Sequence, residues 1–492
     1  MNNLQTICTV KMHVNSLFSI LKTLSGKELR NFDRFLRSPY FTEGKNIRSK
    51  LLYEYFCILK EFYPAFDRSE LEKETLFKRL YPERKFSSVL LRRLDSDLGK
   101  LAIEFLNQEE FYQDTAARSI NAVTALSRKM PEKFFYRQFY LSQQSIDIQK
   151  YDSNYYYNKQ SLELIRNNYA YTKGEMLKKY DVNSEADNFI KYTLCRALEI
   201  YRNIENDKAI LNTKINTEFF ENILAFAESH KEVIAEDALI AMHYNEILLN
   251  IRKEDKYYYE LKNLKGRIEN KLNSNTLRNL YVTMVNYCVR KKNMGFTGFD
   301  TERFELDTEI MNNDIHSTGE YFDMNYFLSS VRNAVSLGKH AWSENFIKKY
   351  SLKLEPRHKT FAENYALGVL SYGKKEYGKS LEYLSRINIE YSARKQQVKD
   401  LMIVIYCETG SFENALNLID TSKHSLKNDK QIPEERKKTF SKFLDFTGKY
   451  IRLKLEPDEF RINSLRQKII ASGHFVNREW LLKKTDELIV KQ

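Results

Sequence analysis

Trp342, Tyr377 and Phe412 stand thirty-five residues apart, and four further apolar sets keep the same step: Val331, Ala366 and Leu401; Ala334, Val369 and Val404; Val335, Leu370 and Ile405; Phe346, Leu381 and Leu416. A period of roughly 20 to 50 residues marks an architecture whose units are too small to bury their apolar faces alone and do so against their neighbours. The clear copies span residues 321–429. One has a helix through Tyr365, Leu367, Gly368 and Tyr372, a tight turn around Gly373 to Glu376, and a second helix from Tyr377 through Leu381, Leu384 and Ile387. The next runs through Leu401 and Tyr406, turns at Thr409-Gly410, and resumes at Phe412, Ala415, Leu416 and Ile419.

Composition supports a helical reading of the remainder. Proline occurs only seven times and glycine fifteen times in 492 residues. Both residues dominate turns and proline breaks helix interiors, so their scarcity favours long helices over a turn-rich β fold. The expected class is all-α: an N-terminal helical bundle over 1–110, degenerate helical hairpins over 111–320 ending in a loop near 293–320, the repeats over 321–429, and C-terminal helices with a cap over 430–492. In the bundle, Ser25 and Glu28 make a capping-box pattern before the stripe Leu29, Phe32, Phe35 and Leu36, which stops at Ser38-Pro39. Further helices are expected to stop at Tyr63-Pro64 and Pro82, followed by a long one through Phe86, Val89, Leu90, Leu94, Leu98, Leu101 and Phe105. Helical periodicity begins only after Met12, so Met12 stands beside Met1 as a candidate start.

The repeats resemble the tetratricopeptide family. Leu367-Gly368, Tyr377, the small Ser380 and Leu384, with Gly410, Phe412 and Ala415, fall at that family's offsets. A small residue lets two helices cross closely and an aromatic plugs the gap beside it. Asn333 and Ile403 stand where Gly368 stands in the middle copy, and the repeat-ending proline occurs only as Pro356. More loosely, the whole chain is similar to uncharacterised bacterial helical-repeat proteins, a likeness that carries no function.

No motif supplies chemistry. The eight histidines never form an i, i+4 pair, and the five cysteines are widely scattered, so neither a metal site, a cofactor site nor a disulfide framework is expected. No stretch is apolar for the 18 or more residues of a membrane helix, and a reducing, cytoplasmic setting is expected. The only glycine loop, Gly295-Phe296-Thr297-Gly298, lacks the αβ context in which such a loop clamps RNA. The expected function is therefore that of a non-catalytic adaptor or scaffold. It would hold a protein or peptide segment in the groove lined by the first helix of each hairpin, with Asn333, Asn364, Tyr365 and Lys399 as candidate contacts.

The alternative is a nucleic-acid-associated regulator. Net charge is +13 and diffuse, yet Lys78, Arg79, Arg84, Lys85, Arg92 and Arg93 cluster where two short helices precede a long one. That pattern suits phosphate contact by Arg84, Lys85, Arg92 and Arg93, or a solvated face neutralised by neighbours such as Asp95 and Asp97. The runs Tyr155 to Tyr157 and Tyr257 to Tyr259 cannot each face the core entirely, so at least one ring of each is expected outside it.

Overall fold

The computed structural model describes residues 16–38, 47–66, 72–129, 131–211, 215–313, 315, 321–387, 392–429, 432–473 and 475–489. Met1, Met12, Pro39 and most of 314–320 lie outside the described residues. Among those described the chain is all-α, with no strand and two isolated bridges, Tyr151 to Leu272 and Phe322 to Leu354. It divides into two compact units, Met1–Gln149 with Tyr155–Phe189, and Lys150–Asn154 with Ile190–Gln492.

The first unit contains α1 (Ser16–Thr23), α2 (Gly26–Arg37), α3 (Ile47–Lys60), α4 (Lys73–Leu80), α5 (Ser88–Gln113), α6 (Thr115–Lys129), α7 (Glu132–Asp147), α8 (Asn154–Thr172) and α9 (Met176–Lys179). The capping box forms as expected: Glu28 N–H donates to Ser25 Oγ at 3.2 Å, and Ser25 N–H donates to Glu28 Oε2 at 2.7 Å. Two orphan donors of the first turn of α2 are thereby satisfied. Its apolar stripe enters a core with Tyr55, Phe56 and Leu59 of α3, Leu76 and Phe77 of α4, and Leu91, Leu94, Leu98 and Phe105 of α5. Phe86 and Val89 depart from the expected stripe. Ser87 caps α5, so Phe86 precedes the helix, and both side chains are exposed.

After α10 (Val182–Leu211), the second unit continues with α11 (Glu218–Ser229), α12 (Lys231–Glu236), α13 (Ala238–Arg252), α14 (Asp255–Ile268), α15 (Ser274–Asn293) and α16 (Phe299–Asn312). It goes on through α17 (Met324–Ser336), α18 (His340–Tyr350), α19 (Pro356–Gly373), α20 (Tyr377–Ser385), α21 (Ser392–Glu408) and α22 (Phe412–Asn428). It ends with α23 (Glu434–Leu455), α24 (Glu459–Ala471) and α25 (Arg478–Ile489). Helices pair as hairpins α13–α14, α15–α16, α17–α18, α19–α20 and α21–α22, and first helices also meet, α17 on α19 and α19 on α21.

The loop expected near 293–320 is corrected by α16. Gly295 and Gly298 adopt left-handed φ values of 89° and 91° and close a short turn, after which Asp300 and Glu302 sit favourably in the first helical turn. The turn glycines and alternating charges hide this helix from a periodicity reading. Of the tyrosine runs, Tyr155, Tyr156, Tyr257 and Tyr258 are buried while Tyr157 and Tyr259 are exposed.

Close approach explains the repeat's glycines. A Cβ on Gly368 would lie 2.9 Å from Leu384 Cδ2, and Ser380 Oγ donates to Gly368 O at 2.7 Å, so α19 and α20 cross almost backbone to backbone. Gly373 is not the turn-former expected of it. It ends α19 with its missing Cβ 2.3 Å from Val335 Cγ1 of α17, and the left-handed position of that turn is Lys375, thirty-five residues before Gly410. Gly368→Leu should therefore destabilise the second unit by roughly 1–3 kcal/mol through overpacking. Gly448→Ala, in α23 with nothing within 4 Å, should stabilise by about 0.5–1 kcal/mol. Urea unfolding followed by circular dichroism checks both signs.

Candidate functional site

The inner sides of the first helices enclose three adjoining cavities within the second unit. One of about 560 Å³ lies among Arg278, Tyr281, Val285 and Asn286 of α15, Tyr326 and Arg332 of α17, Gln397 of α21 and Arg436 of α23. A second, of about 480 Å³, is bounded by Arg332, Tyr365, Val369, Tyr372, Gln397, Asp400, Arg436 and Phe440. A third, also about 480 Å³, runs from Lys292 and Asn333 to Phe475, Asn477 and Trp480. Arg332 borders all three, Arg436 and Gln397 border two, and Val476 and Asn477 join the second to the third, so they form one groove.

The walls are held by internal ion pairs and hydrogen bonds. Arg303, nearly buried, donates from Nη2 to Ser329 Oγ at 2.7 Å and lies 3.5 Å from Asp307, whose Oδ1 accepts from Tyr326 Oη at 2.8 Å. Burial raises the Asp307 carboxyl, opposed by Arg303. At the far end Trp480 Nε1 donates to Glu408 Oε1 at 2.7 Å and Lys484 pairs with Glu408 Oε2 at 2.8 Å, tying α25 to α21. The groove floor differs from these walls. Among the described residues no carboxylate pairs with Arg278, Arg332 or Arg436, and Arg332 and Arg436 are exposed.

Asp400 is the most unusual side chain here. It is 1% exposed, Gln396 Nε2 donates to its Oδ1 at 2.7 Å, and its Oδ2 has no partner. Burial pushes its carboxyl up to about 8, against the weaker opposing pull of Gln396 and Lys399. A neutral carboxyl is the physical result, because an ion so enclosed has too little solvation.

Of the expected contacts, Asn333 and Tyr365 line the groove. Asn333 Nδ2 donates to Asp300 O at 2.9 Å and its Oδ1 accepts from Lys292 Nζ at 3.3 Å, so its polar groups are already engaged. Tyr365 is buried at the edge of the second cavity, with its hydroxyl pushed up by burial. Asn364 and Lys399 do not line these cavities; Asn364 Nδ2 donates to Thr360 O on its own helix. Arg278, Arg332, Gln397, Asp400 and Arg436 were not anticipated. One signal pointed to Asp400: it lies thirty-five residues beyond Tyr365, in the same register.

In the first unit Arg84, Lys85, Arg92 and Arg93 are exposed around the α4–α5 turn and form no ion pair among the described residues. Asp95 does not neutralise them, because it is buried and accepts from Tyr55 Oη at 2.5 Å. No helix among the described residues is long and apolar enough to cross a membrane. No family model matches the chain, and no curated protein or solved structure is detectably similar to it.

The folded state holds a proton on Asp400 that an unfolded aspartate releases near pH 4, so this group's contribution to stability falls as pH rises from there towards about 8. Asp400→Asn, neutral at every pH, should exceed the native chain in urea midpoint at pH 9, with the gain shrinking towards pH 4. An equal gain at both ends would contradict a buried neutral carboxyl.

Proposed function

We propose that this chain is a non-catalytic binding protein whose second unit, a tetratricopeptide-like α-solenoid, holds a segment of a protein or peptide partner in the groove between its first helices. The observation that carries this reading is the groove's floor. Its buried Asp400 has an unused oxygen, although buried polar groups are ordinarily satisfied, and Arg332 and Arg436, open to solvent beside it in the lining, have no carboxylate partner among the described residues. Apolar Val282, Val285, Val369 and Phe440 alternate with these polar groups along the same path. A bound segment would find apolar surface to cover and donors to orient its backbone and side chains. Peptides selected from a random displayed library against the full chain should lose about tenfold or more in affinity when Arg332→Glu and Arg436→Glu are combined, a cost of about 1.4 kcal/mol. Lys100→Glu in the first unit should leave binding intact. Selected peptides indifferent to the groove variant would defeat the reading.

A second reading, nucleic-acid binding by the first unit, is favoured by one observation. Val89, Arg92, Arg93 and Lys100 recur at helical spacing on the exposed side of α5, with Arg84 and Lys85 in the preceding turn and Lys78 on α4. Cations on a helix and the turn before it suit phosphate contact flanking a groove-bound helix. Six phosphate contacts, one for each of these cations, imply a log–log salt slope of about −5 for a duplex DNA probe. Arg92→Glu with Arg93→Glu should abolish that binding, and unchanged binding would eliminate the reading.

A further inference from the structure

In the first unit, helices α6, α7 and α8 meet at a tip built of fixed turns. Helices α7 and α8 pack antiparallel, with the Phe135 and Tyr169 rings stacked at 3.8 Å and Gln143 Nε2 donating to Glu163 Oε1 at 3.0 Å. That packing brings the turn between α6 and α7 to the same end as the exit from α8. A Schellman arrangement stops α8 there. Glu175 N–H donates to Ala170 O at 2.8 Å, Gly174 N–H donates to Tyr171 O at 3.1 Å, and Gly174 takes the left-handed φ of 72° that this ending requires. The chain then enters the single turn α9, which is anchored on α7: Tyr136 Oη donates to Glu175 Oε2 at 3.2 Å, and Lys179 Nζ lies 4.5 Å from the centre of the Tyr136 ring.

What this anchored tip presents is apolar. Leu177 is 103% exposed, the highest value of any large apolar side chain among the described residues, and Tyr171 at 67%, Met176 at 44% and Phe134 at 56% are open on the same end. Cations flank them. Arg128 and Lys129 end α6, Lys133 lies in the first turn of α7 and Lys173 follows α8; all four are exposed, and none forms an ion pair among the described residues. Of the carboxylates in these turns, Glu132 is exposed and Glu175 is engaged by Tyr136.

We propose that this tip is a docking surface for an anionic lipid bilayer, into which Leu177 and Met176 dip while the tyrosine rings and cations stay among the headgroups. Charge and shape select this occupant. A side chain as open as Leu177 stands on a projection, and a projection flanked by unpaired cations matches a surface that is apolar beneath a layer of anions. Tyrosine rings settle at headgroup level, and lysines cover apolar surface with their methylene stems while the charged head reaches phosphate. The contact is peripheral, and no helix among the described residues is long and apolar enough to cross the bilayer. It uses none of the groove's residues, so the groove reading stands or falls separately.

The test is sedimentation of the full chain with vesicles of phosphatidylcholine alone and with vesicles in which about a third of the lipid is phosphatidylglycerol. The chain should sediment with the anionic vesicles, less so as salt is raised, and stay free of the neutral ones. Lys129→Glu with Lys133→Glu should lower the partition constant about twentyfold or more, each cation near such a surface contributing about fivefold. Leu177→Asp should lower it about tenfold or more, because the leucine no longer leaves water. Leu177 is fully exposed, so this variant should fold as the native chain does, which circular dichroism checks. Leu177→Trp, added to the native Trp342 and Trp480, should lose its fluorescence to lipids brominated along the acyl chain. Ile148→Trp, exposed at the opposite end of α7, should not.

A native chain that stays in the supernatant with anionic vesicles, or binds neutral ones equally, would overturn the proposal. So would full binding by Leu177→Asp, which would assign the contact to charge alone, or equal quenching of the two tryptophan variants. Self-association of the native chain without lipid, abolished by Leu177→Asp, would seat a second copy on the tip and overturn it as well.

Discussion

Everything in the second unit depends on how closely its helices approach. A helical hairpin of this size cannot bury its apolar face alone, so the core exists only where first helix meets first helix and first helix meets second. Gly373 against Val335 and Gly368 against Leu384 set those distances at two successive contacts, and Ser380 seals one of them with a hydrogen bond to backbone. A methyl group at Gly373 would meet Val335 Cγ1 and one at Gly368 would meet the end of Leu384, so a packed side chain or its helix would have to move. The shift would pass to Phe327, Phe346, Tyr350 and Tyr365, which share one buried cluster.

The same packing creates the groove. With one side of each first helix committed to the core, the other lines the groove, where polar side chains range from exposed Arg332 and Arg436 to buried Asn333 and Asp400. The unit treats such groups in two ways. Arg202 with Glu246 and His243, and Arg303 with Asp307, are buried and paired internally, which keeps charge in the interior only where it is compensated. Arg332 and Arg436 are left without carboxylates and Asp400 is left protonated. The contrast follows exposure: paired charge is buried, the unpaired guanidiniums of Arg332 and Arg436 are open to solvent, and only Asp400 is both buried and unpaired.

Helix identity and hairpin order were legible because they rest on local rules. The Ser25–Glu28 capping box and the thirty-five-residue register of aromatic and small positions act over one or two turns and survive into the structure unchanged. The helix α16 was not legible, because two turn glycines and alternating charges erase its apolar stripe. The groove was legible only in part. Asn333 and Tyr365 are core-adjacent and share the repeat's phase, whereas Arg332 and Arg436 are exposed polar residues whose convergence depends on the superposition of α17 and α23 in space. Nothing local marks an arginine as unpaired. Asp400 could have been reached by carrying the register forward from Tyr365, but its neutral state follows from burial, which a linear chain does not display.

The segment Phe475–Trp480 closes one end of the groove from a position more than a hundred residues beyond the helices it faces. Both sides of the groove belong to the second unit, and a domain generally folds as a unit. A chain shortened before Phe475 loses one side of the groove and the Trp480–Glu408 hydrogen bond together, so the C-terminal helices shape the groove as much as they end the array.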